Sequence, residues 1–256
     1  MILVSLFPGR STRGGGQFVE EQNPSPYPLP QSLPRTRSGG EGEKKVNRDS
    51  LKTSPEARLL AGLVALKLDP ALAGSLLKYL GELVQWNKAY NLTAVRDPAE
   101  MVTRHLLDSL SVLPLITGRV LDIGSGAGLP GIPLALANPA LHVTLLDSNG
   151  KKARFLRHAL RALKLNNADV AEARAEQFQP EQPYDTVISR AFASLAEFCT
   201  VAGRLCVPGG RLVAMKGKLD PQEVAALPAE FEIKDTRRLR VPGLDEERHA
   251  IIAAFK

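Results

Sequence analysis

From Arg119 to Pro133 the chain reads RVLDIGSGAGLPGIP, a stretch able to hold a ligand largely by its backbone. An apolar run, Val120, Leu121 and Ile123, carries one carboxylate, Asp122, then breaks into glycines at 124, 126, 128 and 131. Pro130 and Pro133 follow as an apolar helical pattern begins. The order is strand, tight turn and helix N-terminus, where glycine lets a ligand approach the main chain without meeting a Cβ. Gly126-x-Gly128-x-x-Gly131 satisfies the dinucleotide fingerprint. Asp147 closes a second apolar run 19 residues past Gly128. An acid there accepts two hydrogen bonds from a ribose diol, or else caps the helix that starts near residue 150. Asp122 sits beside the loop, where a carboxylate can meet an ammonium group, directly or through water.

Read from Asp122, the loop is also Asp122-x-Gly124-x-Gly126-x-Gly128, which resembles motif I of S-adenosylmethionine (SAM) methyltransferases. The loop alone therefore leaves two cofactor classes open, and the elements around it must decide. Strand patterns at 119–123, 142–147, 168–173, 184–189 and 210–216 alternate with helical ones at about 130–137, 150–164, 195–205 and 220–227. That alternation predicts a parallel, doubly wound sheet covered on both faces. The last two strand patterns, 230–240 and 248–255, have no helix between them and predict an antiparallel pair. Such a return is unlike a simple dinucleotide fold and like the class I methyltransferase sheet.

Upstream, Ser54-Pro55-Glu56 reads as N-cap and first turn of a helix to about Leu68, and Asp69-Pro70 repeats the signal. The next helix places Leu72, Leu76, Leu80 and Leu83 on one face and ends near Asn87–Asn91. Asp97-Pro98 opens a third, 98–113, with Leu106, Leu110 and Leu113 inward. Residues 51–117 thus read as a small helical cap on a domain spanning 118–256.

Composition narrows the function classes. Of 256 residues 44% are hydrophobic, enough for one large domain or a domain with a cap. The two cysteines, Cys199 and Cys206, form no CxxC and lie in apolar context, so neither a metal site nor a disulfide framework is expected, and a reducing cytoplasm fits. A net charge of +6 and pI near 9.4 permit a polyanionic partner. Met1–Phe7 is too short for a signal or a span, so no membrane partner is expected. Residues 1–50 hold 6 Pro, 7 Gly and 6 Ser without hydrophobic periodicity and carry a balance of only +2. They read as a disordered, solvated extension, or as a start set too far upstream, with Val46 as the alternative.

WNKAYNLTAVRDPAEMVTRHLLDS (86–109), DIGSGAGLPGIP (122–133), LLDSNGKKARFLR (145–157), VISRAFASL (187–195) and VPGLDEERH (241–249) resemble the 16S rRNA guanine-N7 methyltransferase family, RsmG or GidB. The resemblance runs from about Ser54 to Lys256 and omits the first fifty residues. It implies a Rossmann-like class I SAM-dependent fold, mostly parallel with seven strands and an antiparallel last one, behind an N-terminal helical cap. It also implies SAM contacts at Gly124 and Leu129, at the pair Ala175–Glu176 flanking the adenine, and at Arg190. Gly126 and Gly128 join them from the turn geometry, Asp122 and Asp147 from the carboxylate argument.

Arg190 carries the chemical expectation. Many amino-group methyltransferases place an Asn/Asp-Pro-Pro-aromatic motif after this strand; here ISRAFAS stands instead. No Pro-Cys pair offers the thiolate of pyrimidine-C5 methylation. Guanine N7 already presents an in-plane lone pair, so transfer to it needs positioning and no general base. Arg190 would hydrogen-bond guanine O6 or N7, or hold the cofactor carboxylate; a plain salt bridge is the structural alternative.

For the RNA, Arg104, His105 and Asp108 share a helix face, as an ordinary Arg104–Asp108 surface pair or as a pocket-edge cluster. KKARFLR supplies Lys151, Lys152, Arg154 and Arg157, and Lys216 with Arg248 would complete a phosphate rim. Trp86 and Tyr90 read as core. The expected activity is methylation of one guanine N7 in 16S rRNA, on the rRNA or the 30S subunit, by a cytoplasmic monomer. A non-catalytic ribosome-assembly factor and an NAD-dependent oxidoreductase remain the alternatives.

Overall fold

Ser54 caps the first helix as its sequence implies: its Oγ accepts the Ala57 N–H at 3.2 Å, and Pro55 fills the first turn of α1 (Pro55–Ala65). The computed structural model describes residues 54–190, 192, 194–218 and 220–256; the 1–50 extension and the alternative start at Val46 lie outside them. In α2 (Ala73–Tyr90), Leu76, Leu80 and Leu83 are buried together with Tyr79, and Asn91 ends the helix in the left-handed region. Trp86 and Tyr90 stack on each other against this core, with ring centroids 5.2 Å apart.

Helix α3 runs through three segments, Pro98–Met101, Val102–Leu107 and Asp108–Ser111, capped at its start by the Asp97 side chain. Its middle segment has π geometry, where the 3.6-residue spacing predicts a regular helix over 98–113. The wider turn rotates the residues that follow. Pro114, which has no N–H, then diverts the chain into a 3-10 turn, and Leu113 is only half-buried.

The sheet comprises β1 (Arg119–Ile123), β2 (His142–Leu146), β3 (Ala168–Ala171), β4 (Tyr184–Ser189), β5 (Cys206–Lys216), β6 (Phe231–Arg238) and β7 (His249–Phe255). Helices α4 (Gly131–Ala137), α5 (Gly150–Leu163), α6 (Leu195–Gly203) and α7 (Pro221–Ala225) connect or follow the strands. The strand order is β3-β2-β1-β4-β5-β7-β6, with β7 antiparallel to both neighbours and the first five strands parallel. The seven-stranded, mostly parallel sheet with its antiparallel return is the class I methyltransferase fold and departs from the six parallel strands of a dinucleotide fold.

Strand residues alternate between two cores because successive side chains leave opposite faces. Val120, Val143, Ile188, Val213 and Ile252 join the side chains of α1 to α5 on one face. Leu121, Leu146, Val187, Leu212 and Ile251 join Leu195, Phe198 and Cys199 of α6 on the other. The N-terminal helices therefore share a continuous core with the sheet, which fixes α3 against the carboxyl ends of β4 and β5. Among the described residues, no helix is long and apolar enough to cross a membrane.

Candidate active site

The glycine loop leaves the end of β1 and is laced to the end of β2. The N–H groups of Gly124 and Ser125 both donate to the Leu146 carbonyl, at 2.8 and 3.1 Å, and Gly128 N–H closes on Ser125 O at 2.7 Å. Gly124, Gly126 and Gly128 all have positive φ, at +69°, +59° and +87°, which a residue with a Cβ adopts only under strain. A Cβ on Gly128 would also stand 2.4 Å from Ile132 Cδ1, whereas one on Gly126 meets nothing nearer than 3.8 Å. Gly128 thus serves helix packing, while Gly126 leaves open backbone toward the site.

From α2, the Tyr79 hydroxyl donates to Ala127 O at 2.6 Å and pins the loop from beneath. Complete burial pushes that phenol far above its ordinary range, so it stays a donor. Sequence reasoning passed over Tyr79. The available signal was one phenol among leucines on a buried helix face, since such a hydroxyl needs a partner.

Asp147 ends β2 with its carboxylate turned to the loop: Oδ2 accepts Gly126 N–H at 2.9 Å and Oδ1 accepts Asn149 N–H at 2.8 Å. The helix cap falls to Asn149, whose side chain accepts from Lys151 and Lys152 N–H, so Asp147 is not used as the cap. It lines an open cleft of about 420 Å³ with Gly124, Lys152, Ala175, Glu176 and Phe192. Gly124, Asp147 and the pair Ala175–Glu176, contributed by three loops, thus meet in one cleft sized for a nucleoside.

Asp122 lies elsewhere. It is fully buried, Oδ2 accepting Gly131 N–H at 2.9 Å at the start of α4, and burial raises its pKa to about 7. Of the two contacts expected beside the loop, with a bound ammonium directly or through water, burial closes the direct one to it. The carboxylate faces the inside of the turn, where Gly131 has no side chain to keep it out: a Cβ there would stand 2.8 Å from Asp122 Oδ2.

Beside the cleft, a groove of about 170 Å³ follows the loop past Thr93, Gly124, Gly126, Leu129 and Arg190. Arg190 also lines a second pocket of about 370 Å³ with Arg104, His105, Asp108, Lys216 and Arg248. Five basic candidates from four stretches of chain converge here. Lys151 and Arg154 do not line this pocket; both are exposed on α5.

The pocket is built around Asp108, whose side chain is 3% exposed. Its Oδ2 receives Arg190 Nη1 at 3.1 Å and its Oδ1 faces Arg248 Nε at 3.3 Å. Burial pushes the carboxyl upward, and the two guanidiniums oppose that shift. Arg104 does not pair with Asp108, as regular helical spacing would allow. The π segment lies between them, and Arg104 instead makes a two-pronged ion pair with Glu246 in the loop between β6 and β7. Burial, with Arg190 close by, lowers His105 to about 4, so it is neutral near pH 7, with Nε2 2.8 Å from Thr93 Oγ1. Arg190 does make the salt bridge of its structural alternative. Among the described residues, its two bonds, to Asp108 and to Arg104 O, both use Nη1. Arg190 as a whole lines both groove and pocket.

Comparison with known proteins follows the same lines. A glycopeptide N-methyltransferase, MtfA, solved with S-adenosylhomocysteine, aligns with 59% of this chain and 87% of its own at a TM-score of 0.50 and 12% identity, a likeness of fold. An O-methyltransferase from Bacillus cereus, in complex with SAH, aligns with 70% of this chain and 90% of its own at a TM-score of 0.49 and 20% identity. Curated proteins named ribosomal RNA small subunit methyltransferase G are 54% identical over 208 residues in Xanthomonas campestris pv. campestris (strain B100) and 53% over 207 in Stenotrophomonas maltophilia (strain K279a). These alignments cover 81% and 80% of this chain and 98% of each relative. The family model described as rRNA small subunit methyltransferase G matches residues 73–252, and the chain belongs to that family, GidB.

Proposed function

We propose that this protein transfers the methyl group of SAM to N7 of a guanine in 16S rRNA of the small ribosomal subunit, acting as a cytoplasmic monomer. The observation that carries this reading is continuity: Gly124 lines both the nucleoside-sized cleft and the loop groove, and Arg190 lines both that groove and the basic pocket. A donor held in the first and a base held in the last would meet at the carboxyl ends of β1 and β4.

The residues present fit the cofactor. Asp147 offers a carboxylate, fixed by two backbone N–H groups, to a ribose diol. Ala175 and Glu176 would flank the adenine, with Phe192 as an apolar wall, and the positive-φ glycines with Leu129 leave the amino-acid end room along the loop. Bound SAM supplies a sulfonium methyl, an electrophile that needs no activation by the protein.

What the chain must do is orient the base and exclude competing acceptors. Arg190, held by Asp108, would donate to guanine O6 from its place along the groove. The adjacent N7 lone pair would then be left free to face the methyl that bound SAM would supply. No proton is lost, which suits a pocket whose imidazole is neutral and whose buried carboxylate is held between two guanidiniums. Catalysis here is approach and alignment.

Tritiated SAM with unmodified 30S subunits, followed by borohydride–aniline cleavage, tests the reading. Incorporation with scission at one guanosine of 16S rRNA is expected. Label elsewhere, or none, would refute it.

A further inference from the structure

The loop between β6 and β7 is not a loose connector. Leu239 and Val241 are buried, Leu244 packs against the same core, and Leu239 N–H closes on Arg248 O at 2.7 Å. Gly243 turns the loop at φ +77° beside Thr103 of α3. This base displays Glu246 against two arginines that line the basic pocket. Its Oε1 receives Arg104 Nη2 at 2.5 Å, and its Oε2 receives Arg104 Nη1 at 3.2 Å and Arg248 Nη2 at 3.1 Å. Two arginines from distant segments thus converge on one anion, although that anion is 49% exposed and Arg104 is 38% exposed.

An ion pair this exposed contributes little to stability, because water and salt screen it. Its geometry is nonetheless that of a phosphate clamp: one fork-on grip and a second guanidinium closing from the side. Arg248 cannot follow Glu246 away, because its Nε faces buried Asp108 and its Nη1 donates to Glu247 O at 3.0 Å. Arg104 is fixed at the backbone, where its carbonyl accepts Arg190. The anion is the replaceable member of the set. Glu246 also lines a neighbouring groove of about 480 Å³ with Arg238 and Arg240, so an anionic chain leaving the clamp has a basic continuation.

We propose that Glu246 is a built-in stand-in for a phosphodiester of the RNA substrate: it keeps Arg104 and Arg248 aimed at one point and yields that point to the backbone phosphate beside the target nucleotide. This rests on the RNA reading above and adds a second anion site next to the base pocket. The carboxylate repels RNA until displaced, so it lowers affinity for polyanions that cannot reach the clamp. A staple that merely tied the loop to α3 would have the opposite effect on binding when removed.

The test is filter binding of unmodified 30S subunits across a salt series, with Glu246→Gln, Arg104→Ala and the double variant. Glu246→Gln should bind about 3–10-fold more tightly at low salt, with the slope of log affinity against log salt steeper by about one. Arg104→Ala should weaken binding more in the Glu246→Gln background than in the wild type, because only there is the guanidinium free of its internal partner. Unchanged or weaker binding by Glu246→Gln, or equal costs of Arg104→Ala in both backgrounds, would overturn the proposal. If Glu246→Gln melts early, Arg104→Ala alone decides, since the clamp requires its salt slope to fall by about one. Loss of N7 transfer by the wild-type protein would sink the proposed activity while leaving these binding differences in place, so the two failures are separable.

Discussion

The nucleoside-sized cleft and the basic pocket adjoin, yet they are constructed by different physics. The cleft is made by backbone: positive-φ glycines, two N–H groups fixing Asp147, and the loops at the ends of β1, β2, β3 and β4. The pocket is made by charge, with Arg104, Arg190, Arg248 and Lys216 each already paired to an internal acid, Glu246, Asp108 or Glu223. A site made of backbone is complete before its ligand arrives. A site made of paired charges must exchange partners, so its response to mutation is coupled and salt-dependent.

That contrast is tested most severely at Arg190, the residue common to groove and pocket. Arg190→Ala is expected to lower kcat/KM for methyl transfer to 30S subunits by about 10²–10³, as for the loss of one preorganised donor. It should also cost stability, about 3 kcal/mol at neutral pH, because among the described residues buried Asp108 would keep Arg248 alone as its ion-pair partner. Far-ultraviolet dichroism should be native. Near-normal turnover would make Arg190 a structural brace and dissolve the link between the two regions.

Asp147 probes the cleft alone. Asp147→Ala removes a charged acceptor worth about 1.5–3 kcal/mol, so KM for SAM should rise roughly 10- to 100-fold. KM for 30S subunits should move little, which steady-state kinetics with each substrate varied in turn would show. A parallel rise in both would mean that the cleft and the pocket are not separately built.

The same contrast governs what could be read from the sequence. The cleft was legible because its elements repeat a local grammar: an apolar strand, then a loop at the same edge, with a helix after β1, β2 and β4 though none between β3 and β4. The inward turn of Asp122 escaped, since nothing in DIGSG says that its side chain lies under Gly131, and so did Tyr79, which pins the loop from α2. The pocket was half legible. Arg104, His105 and Asp108 could be read as a pocket-edge cluster and Lys216 with Arg248 as a rim, but not Asp108 as the acid gripped by Arg190 and Arg248, which lie far along the chain, nor the π segment that breaks the helical spacing pairing Arg104 with Asp108. Glu246 escaped altogether. Its partner is 142 positions away, a contact that no periodicity encodes.

Asp122 also offers a pH test of the buried side of the loop. Its folded pKa of about 7 lies above the ordinary carboxyl value, so between the two the folded chain holds a proton that the unfolded chain has lost. Stability from this group is present at low pH and lost as pH rises through about 7. Asp122→Asn, which removes the titration, should therefore gain on the wild type as pH is raised from 4.5 to 7.5, by up to about 3 kcal/mol. Denaturant melts at both pH values measure it. A difference that stays constant with pH would show Asp122 ionised throughout and the loop held by charge.

The smallest effect is expected on α5, and it separates convergent charge from charge that is only basic. Lys151 belongs to the same KKARFLR run that invites an RNA-binding reading, yet it is exposed and lies outside the residues that line the basic pocket. A solvated lysine of this kind changes surface energetics by no more than about 0.5 kcal/mol. Lys151→Ala should therefore leave 30S affinity within about twofold of wild type and the salt slope unaltered, whereas an arginine of the pocket should shift that slope by about one. A slope reduced in Lys151→Ala would extend the RNA footprint from the pocket across the start of α5. The rim would then be a broad basic face, and the clamp at Glu246 only one of several phosphate contacts.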